Sequence, residues 1–180
     1  MNNDQELISR LRSPDSRDSA FRQLMTLYKE RLYWHIRKIV ISHDDTDDVL
    51  QNTFIKVYKN IDKFKGQSKL FSWMYRIATN EAITHLNKNA KRFQISSEEA
   101  QEQAINNLTS DVYFDGNEIQ LKLQQAIATL PQKQQLVFNM KYFDNIKYKD
   151  MSGILETSEG ALKASYHLAV KKIESYLTSD

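Results

Sequence analysis

Apolar residues recur along this chain at helical spacing almost from the start. Asp4 can cap a first helix that uses Leu7, Ile8 and Leu11 and stops near Ser13-Pro14. Phe21, Leu24, Tyr28, Leu32, His35, Ile36 and Ile39 then predict a long helix over residues 16–40. Ser42, followed by His43-Asp44-Asp45-Thr46-Asp47-Asp48, reads as a capped helix start whose acids suit the dipole, and that helix runs to about Asn60. A polar loop over residues 62–68 precedes a further amphipathic segment. Projected at ~100° per residue, residues 69–88 place Phe71, Met74, Ala78 and Ala82 on one apolar face, flanked by Leu70 and Ile77. The opposite face carries Lys69, Trp73, Arg76, Asn80, Thr84 and Asn87, an unusual setting for a tryptophan.

Periodicity then weakens. Residues 93–118 contain no Lys or Arg and a turn signal at Asp115-Gly116-Asn117, so they read as a linker, with Ser96 and Glu99 placed to form a capping box. Helical patterning returns with Leu121, Leu123, Ile127 and Leu130. Pro131 suits the first turn of the next helix, which uses Leu136, Val137, Met140 and Phe143. A short helix around residues 148–155, the turn Glu156-Thr157-Ser158 and a long helix capped by Ser158 have the layout of a helix-turn-helix. The expected fold is all-α: an N-terminal helical bundle (1–92), a flexible acidic linker (93–118) and a C-terminal four-helix domain (119–180).

Composition narrows the function classes. The 180 residues contain four Gly, two Pro and no Cys, which favours helices and excludes a disulfide framework, a thiolate nucleophile and a cysteine–zinc site. The N-terminus lacks the apolar core of a signal peptide and no apolar run approaches membrane-spanning length, so a cytoplasmic protein without membrane insertion is expected. The net charge of +2 is unevenly divided. Residues 1–92 carry 17 Lys/Arg against 11 Asp/Glu, residues 93–118 carry six acids alone, and residues 119–180 carry eight bases against six acids. A basic module and a mildly basic one suggest polyanion partners, yet the excess is too small for strong autonomous DNA binding.

Two surfaces are candidates for that contact. In residues 159–173, Leu162, Tyr166, Ala169 and Ile173 share one face, and Gly160, Lys163, Ala164, His167, Leu168 and Lys171 share the other. The outer face fits a major groove, with Lys163 and His167 reaching bases or phosphates, and it fits equally the last helix of an ordinary bundle. On residues 69–88, an indole beside cations and amides fits exposed bases, with an aromatic plane for stacking, amides for base edges and cations for phosphate. Trp73 tucked sideways into a core is the competing reading. The acid run after His43 matches no calcium loop, and His35 and His85 sit on apolar faces as packing residues. No phosphate-binding glycine loop or nucleophile–base pair is present in sequence, so no catalytic residue, metal or cofactor is expected.

Taken together, DDTDDVLQNTFIKVYKNIDKFKGQSKLFSWMYRIATNEAITHL resembles the second conserved region of bacterial RNA polymerase sigma factors, and LPQKQQLVFNMKYFDNIKYKDMSGILETSEGALKASYHLAVKKI resembles the fourth. The chain is similar to the small two-domain group called extracytoplasmic-function (ECF) sigma factors. The resemblance implies that Asp48, Gln51 and Asn52 dock on the clamp coiled coil of the polymerase β′ subunit, although the family often has Glu at the position of Asn52. It implies that Phe64, Lys65, Gly66, Gln67 and Ser68 form the loop that captures a flipped base of the −10 promoter element. Lys69, Trp73, Arg76 and Asn80 would line the helix that reads and opens that element. Ser158, Glu159, Gly160, Lys163, Ala164, His167 and Lys171 would lie on the helix that reads the −35 element as duplex. The commonest pattern there has arginines at the positions of Ser165 and Leu168 and a turn glycine at that of Glu156, so fewer cations anchor phosphate in this chain. The partners implied are core RNA polymerase, promoter DNA and an anti-sigma factor, with the free protein a monomer. A stand-alone helix-turn-helix regulator is the alternative.

Overall fold

In the computed structural model the described residues are 3–96, 99, 100, 102, 103, 106, 107 and 118–179. The order is α1 (Asn3–Arg12), α2 (Arg17–Val40), α3 (His43–Asn60), a 3-10 turn (Ile61–Lys63), α4 (Leu70–Phe93), α5 (Glu118–Ala128), α6 (Gln132–Tyr142), α7 (Tyr148–Leu155) and α8 (Glu159–Leu177). No strand occurs among the described residues.

Local chemistry sets the boundaries. The Ser42 hydroxyl accepts from the Asp45 amide at 3.3 Å, and the Ser158 hydroxyl from the Ala161 amide at 3.3 Å, each satisfying one of the amides a helix start leaves unpaired. Ser96 and Glu99 form the reciprocal box: the Ser96 amide donates to the Glu99 carboxylate at 2.6 Å and the Glu99 amide to the Ser96 hydroxyl at 3.1 Å. Pro131 stands just outside α6 as its N-cap rather than in the first turn. The expected turn at Asp115-Gly116-Asn117 falls outside the described residues.

Helices α2, α3 and α4 pack on one another, with α1 against α2. Leu24, Leu32, Ile36, Val49, Val57, Met74 and Ala78 are almost completely buried between them. Each such Leu, Ile, Val or Met contributes roughly 1.5–3 kcal/mol by leaving water. That core does not stop at α4. It runs on through Leu136, Val137, Met140, Ile146, Met151, Ile154 and Leu162, so the two modules share one apolar interior. A smaller core of Ala126, Ile127, Leu130, Phe138, Ala169 and Ile173 closes the C-terminal end. Docking of α7 on α4 and of α6 on α2 explains why Tyr75 and Thr79, which no single-face reading of α4 assigns to a core, are buried.

Candidate nucleic-acid interface

The loop before α4 is fixed at both ends. Phe64 buries its ring, Arg12 donates from its guanidinium to the Phe64 carbonyl, and Leu70 is sealed in the core. Between them Lys65, Gly66, Gln67, Ser68 and Lys69 are exposed. Gly66 has φ +70°, a left-handed conformation that side chains with a Cβ resist. The expectation that Phe64 itself belongs to a DNA-facing surface needs correcting. Its side chain is core, at 4% exposure, and only the residues after it stand at the surface.

Trp73 is half-buried, its ring tilted against that of Phe64 with centroids 5.2 Å apart. One side of the indole is thereby held by the core while the rest stays at the surface. Asn80, Thr84 and Asn87 continue the same face, all exposed. Two of its cations are engaged by the C-terminal module. Lys69 lies 2.9 Å from Asp150, and Arg76 pairs with Glu156.

A third contact between modules lies deeper. Lys38 of α2 pairs with Asp144, and His35 Nδ1 approaches the same carboxylate at 3.4 Å. His35 Nε2 is 2.8 Å from the Thr79 hydroxyl, which itself donates to the Tyr75 carbonyl. The Thr79 oxygen must therefore accept, so Nε2 carries the hydrogen and Nδ1 of the neutral ring carries none. This agrees with Asp144 Oδ2 having no aligned hydrogen-bond partner despite its burial. Burial pushes the His35 imidazole below its usual range, opposed by Asp144. For Asp144, burial alone would raise the carboxyl, but His35 and Lys38 together outweigh it and hold it below the usual carboxylate range.

The histidine reading is thus half right. His35 is a packed, satisfied core residue, whereas His85 is half-exposed and lies 3.0 Å from Asp45 and 2.9 Å from the Asn89 amide. It ties α4 to the start of α3 through polar contacts rather than apolar packing.

At the C-terminal end, Leu162, Ala169 and Ile173 are buried, and Tyr166 stacks on Phe138 with centroids 5.8 Å apart. Ser158, Glu159, Gly160, Lys163, Ala164, His167 and Lys171 are all exposed. None of Lys163, His167 and Lys171 forms an ion pair among the described residues. The Lys163 ammonium rests over the Tyr148 ring, 5.8 Å from its centroid.

On the far side of the first module, Asp48, Gln51 and Asn52 are exposed along α3. Beside them an apolar cavity of about 320 Å³ lies between α2 and α3, lined by Phe21, Met25, Gln51, Phe54, Ile55 and Tyr58. Ile55 is 44% exposed at its rim, so this docking face combines polar contacts with an apolar hollow. Sequence reasoning found the polar residues and missed the hollow. Ile55 was its signal, an isoleucine one turn beyond Gln51 on a solvent-facing stripe.

Two family models match this chain in order, Sigma-70 region 2 over residues 24–92 and Sigma-70 region 4 over residues 120–173. The chain belongs to the ECF sigma factors. This sigma factor is 27% identical to the RNA polymerase sigma-H factor of Pseudomonas aeruginosa, over 97% of this chain and 93% of that one. It is 29% identical to the ECF RNA polymerase sigma factor SigW of Bacillus subtilis, over 82% and 83% of the two chains. With the ECF RNA polymerase sigma-E factor of Haemophilus influenzae it shares 28% identity over 96% and 94%. Among solved structures it is similar in fold to CnrH in complex with the cytosolic domain of CnrY, with TM-score 0.71, 19% identity and 99% of both chains covered. The sigma factor RpoE in complex with the anti-sigma factor NepR from Bartonella quintana is similar at TM-score 0.68 and 18% identity, over 89% of this chain and 98% of that one. No helix among the described residues is long and apolar enough to cross a membrane.

Proposed function

We propose that this chain is a promoter-specificity subunit of bacterial RNA polymerase whose two modules grip one promoter in different states. Residues 1–92 dock on the β′ clamp coiled coil through Asp48, Gln51 and Asn52. They open the −10 element with residues 65–69, Trp73, Arg76 and Asn80. Residues 119–180 read the −35 element as closed duplex through Ser158, Glu159, Gly160, Lys163, Ala164, His167 and Lys171. The observation that carries this reading is the ordered pair of matched regions in one chain. Each matched region contains one helix with an exposed or half-exposed polar face, α4 in the first and α8 in the second.

The chemistry follows from those faces. Unstacking bases costs a few kcal/mol, and bases held against an aromatic plane and amides offset that. Trp73, braced by Phe64, is a preformed platform. At α8, amides of the helix start and the Lys163 charge meet phosphate. The bond-forming chemistry belongs to the polymerase, and the protein acts in the cytoplasm where that enzyme works. With so small a net charge, the free chain binds DNA weakly and gains affinity when polymerase holds both modules at the right separation. Solved relatives were captured with anti-sigma proteins, and a comparable inhibitor is proposed here too.

Reconstitution tests the reading. Core polymerase plus this protein should give run-off transcripts from templates enriched out of genomic DNA by the reconstituted holoenzyme, and core alone should not. Absence of promoter-directed transcripts ends the proposal. Nanomolar operator binding by the isolated protein would instead return the stand-alone regulator.

A further inference from the structure

Three carboxylates of the C-terminal module meet three cations of the N-terminal one: Asp150 with Lys69, Glu156 with Arg76, and Asp144 with Lys38. We propose that this acidic edge is a built-in occupant of the chain's own reading face, standing where the phosphates of an opened strand would go. The inference rests on the proposed role of α4, because it concerns the same cations.

The C-terminal module is polarised. Of the six acids in residues 119–180, half point at α2 and α4, while Lys163, Lys171 and Lys172 occupy the other side of the module. Glu156 is particularly telling. It sits in the turn between α7 and α8 at φ 50°, a left-handed conformation costly for any residue but glycine, and it brings a carboxylate to Arg76. The Asp144 and Asp150 side chains are 8% and 15% exposed, so they are taken largely out of water on docking. Beneath them Met151 and Ile154 complete the shared core.

The apolar floor supplies adhesion and the carboxylates supply register and competition. Surface ion pairs are individually weak and screened by salt, which makes the arrangement reversible when a larger interface is offered. A strand on Lys69 and Arg76 and a docked α7 exclude each other. The free chain therefore binds single strands with an affinity reduced by its open fraction. The outer face of α8 is untouched by the closure, so duplex contacts are not masked with it.

The absence of cysteine makes the test clean. Spin labels at Arg22→Cys and Ser175→Cys, both exposed positions on different modules, report the separation in the full chain. The native protein should give one short distance. The triple variant D144N/D150N/E156Q should add longer distances. It should also bind a random-sequence single-stranded 20-mer pool about three- to tenfold more tightly. A control with the same charge change elsewhere, D15N/E30Q/E174Q, should leave the distance unchanged and raise affinity by less than twofold. Unchanged distances in the triple variant overturn the inference, as does opening without a gain beyond the control. Run-off transcription with core polymerase separates the two readings. If the native chain directs transcription while distance and affinity do not respond, only the self-occupancy falls. If both respond but no promoter-directed transcript forms, the promoter role falls and the intramolecular docking stands.

Discussion

Helices α4 and α8 are both amphipathic and both present a polar face proposed to meet DNA, yet the protein treats them differently. The α8 face is bare, its cations unpaired among the described residues and its small residues Gly160 and Ala164 open to approach. The α4 face is built: an indole braced by a buried phenyl ring, a loop pinned through Arg12, and two cations already holding carboxylates. The contrast follows from what each is asked to bind. Closed duplex is a stiff, preformed ligand that a helix meets with exposed side chains. Unpaired bases are floppy, and a rigid receiving surface spares part of the ordering cost.

The largest effect should come from removing that platform. Trp73→Ala is expected to lower promoter opening by about 10- to 100-fold, the range of one lost base-stacking contact, with W73F recovering much of it. On a template with the −10 region already mismatched, the defect should shrink, because the opening cost is no longer charged to the protein. The double change K163A/H167A should instead cost about 5- to 30-fold on both templates alike. It should also reduce the salt slope of holoenzyme binding by about one. Equal rescue of both variants by the mismatched template would erase the distinction between the two helices.

Much of this was legible in the sequence. The inward residues of α8, Leu162, Ala169 and Ile173, are buried, and its outward ones are exposed, because a terminal helix packed on one side obeys a single stripe. The helix α4 obeyed it only partly. Met74, Ala78 and Ala82 are core as their spacing implies, but Tyr75 and Thr79 are buried by a second module whose docking leaves no periodic trace in α4. Phe64 was misplaced for a related reason. A phenyl ring in a polar loop looks like a surface aromatic until Trp73 is seen to cover it. The acids that meet Lys69 and Arg76 lie 80 or so positions away, beyond any local pattern.

An intermediate effect is expected from Gly66→Ala. A Cβ there meets nothing within 4 Å, so the penalty is purely conformational and arises from φ +70°. It should destabilise the loop by about 1 kcal/mol, which changes promoter opening severalfold while barely moving the global unfolding midpoint. A G66N variant, whose side chain tolerates the left-handed region better, should fall between the two. If G66A instead damages duplex binding by α8 as strongly as opening, the loop is not the element that distinguishes the α4 side.

The smallest effect concerns what holds the α4 side in its built form. His35 bridges α2 to α4 through Thr79 and faces Asp144, and burial depresses its imidazole. A group whose folded value lies below its unfolded one binds protons more readily when unfolded, so acid favours unfolding. Stability should therefore be fully present above the ordinary histidine value of about 6.5 and decline as pH falls below it. Asp144, also held low, adds a further decline below the ordinary carboxylate range. One proton limits the histidine slope to about 1.4 kcal/mol per pH unit. Denaturant unfolding followed by near-ultraviolet dichroism from pH 7.5 to 5 measures that slope directly. In His35→Gln, which keeps a donor for Thr79 but cannot titrate, the curve should be flatter over this range, although the variant starts less stable. No ionisable residue of α8 is similarly buried among the described residues, so its contribution over the same interval should be flat. A slope that survives His35→Gln would mean that the α4 side owes its rigidity to packing alone, and that the buried polar bridge merely accompanies it.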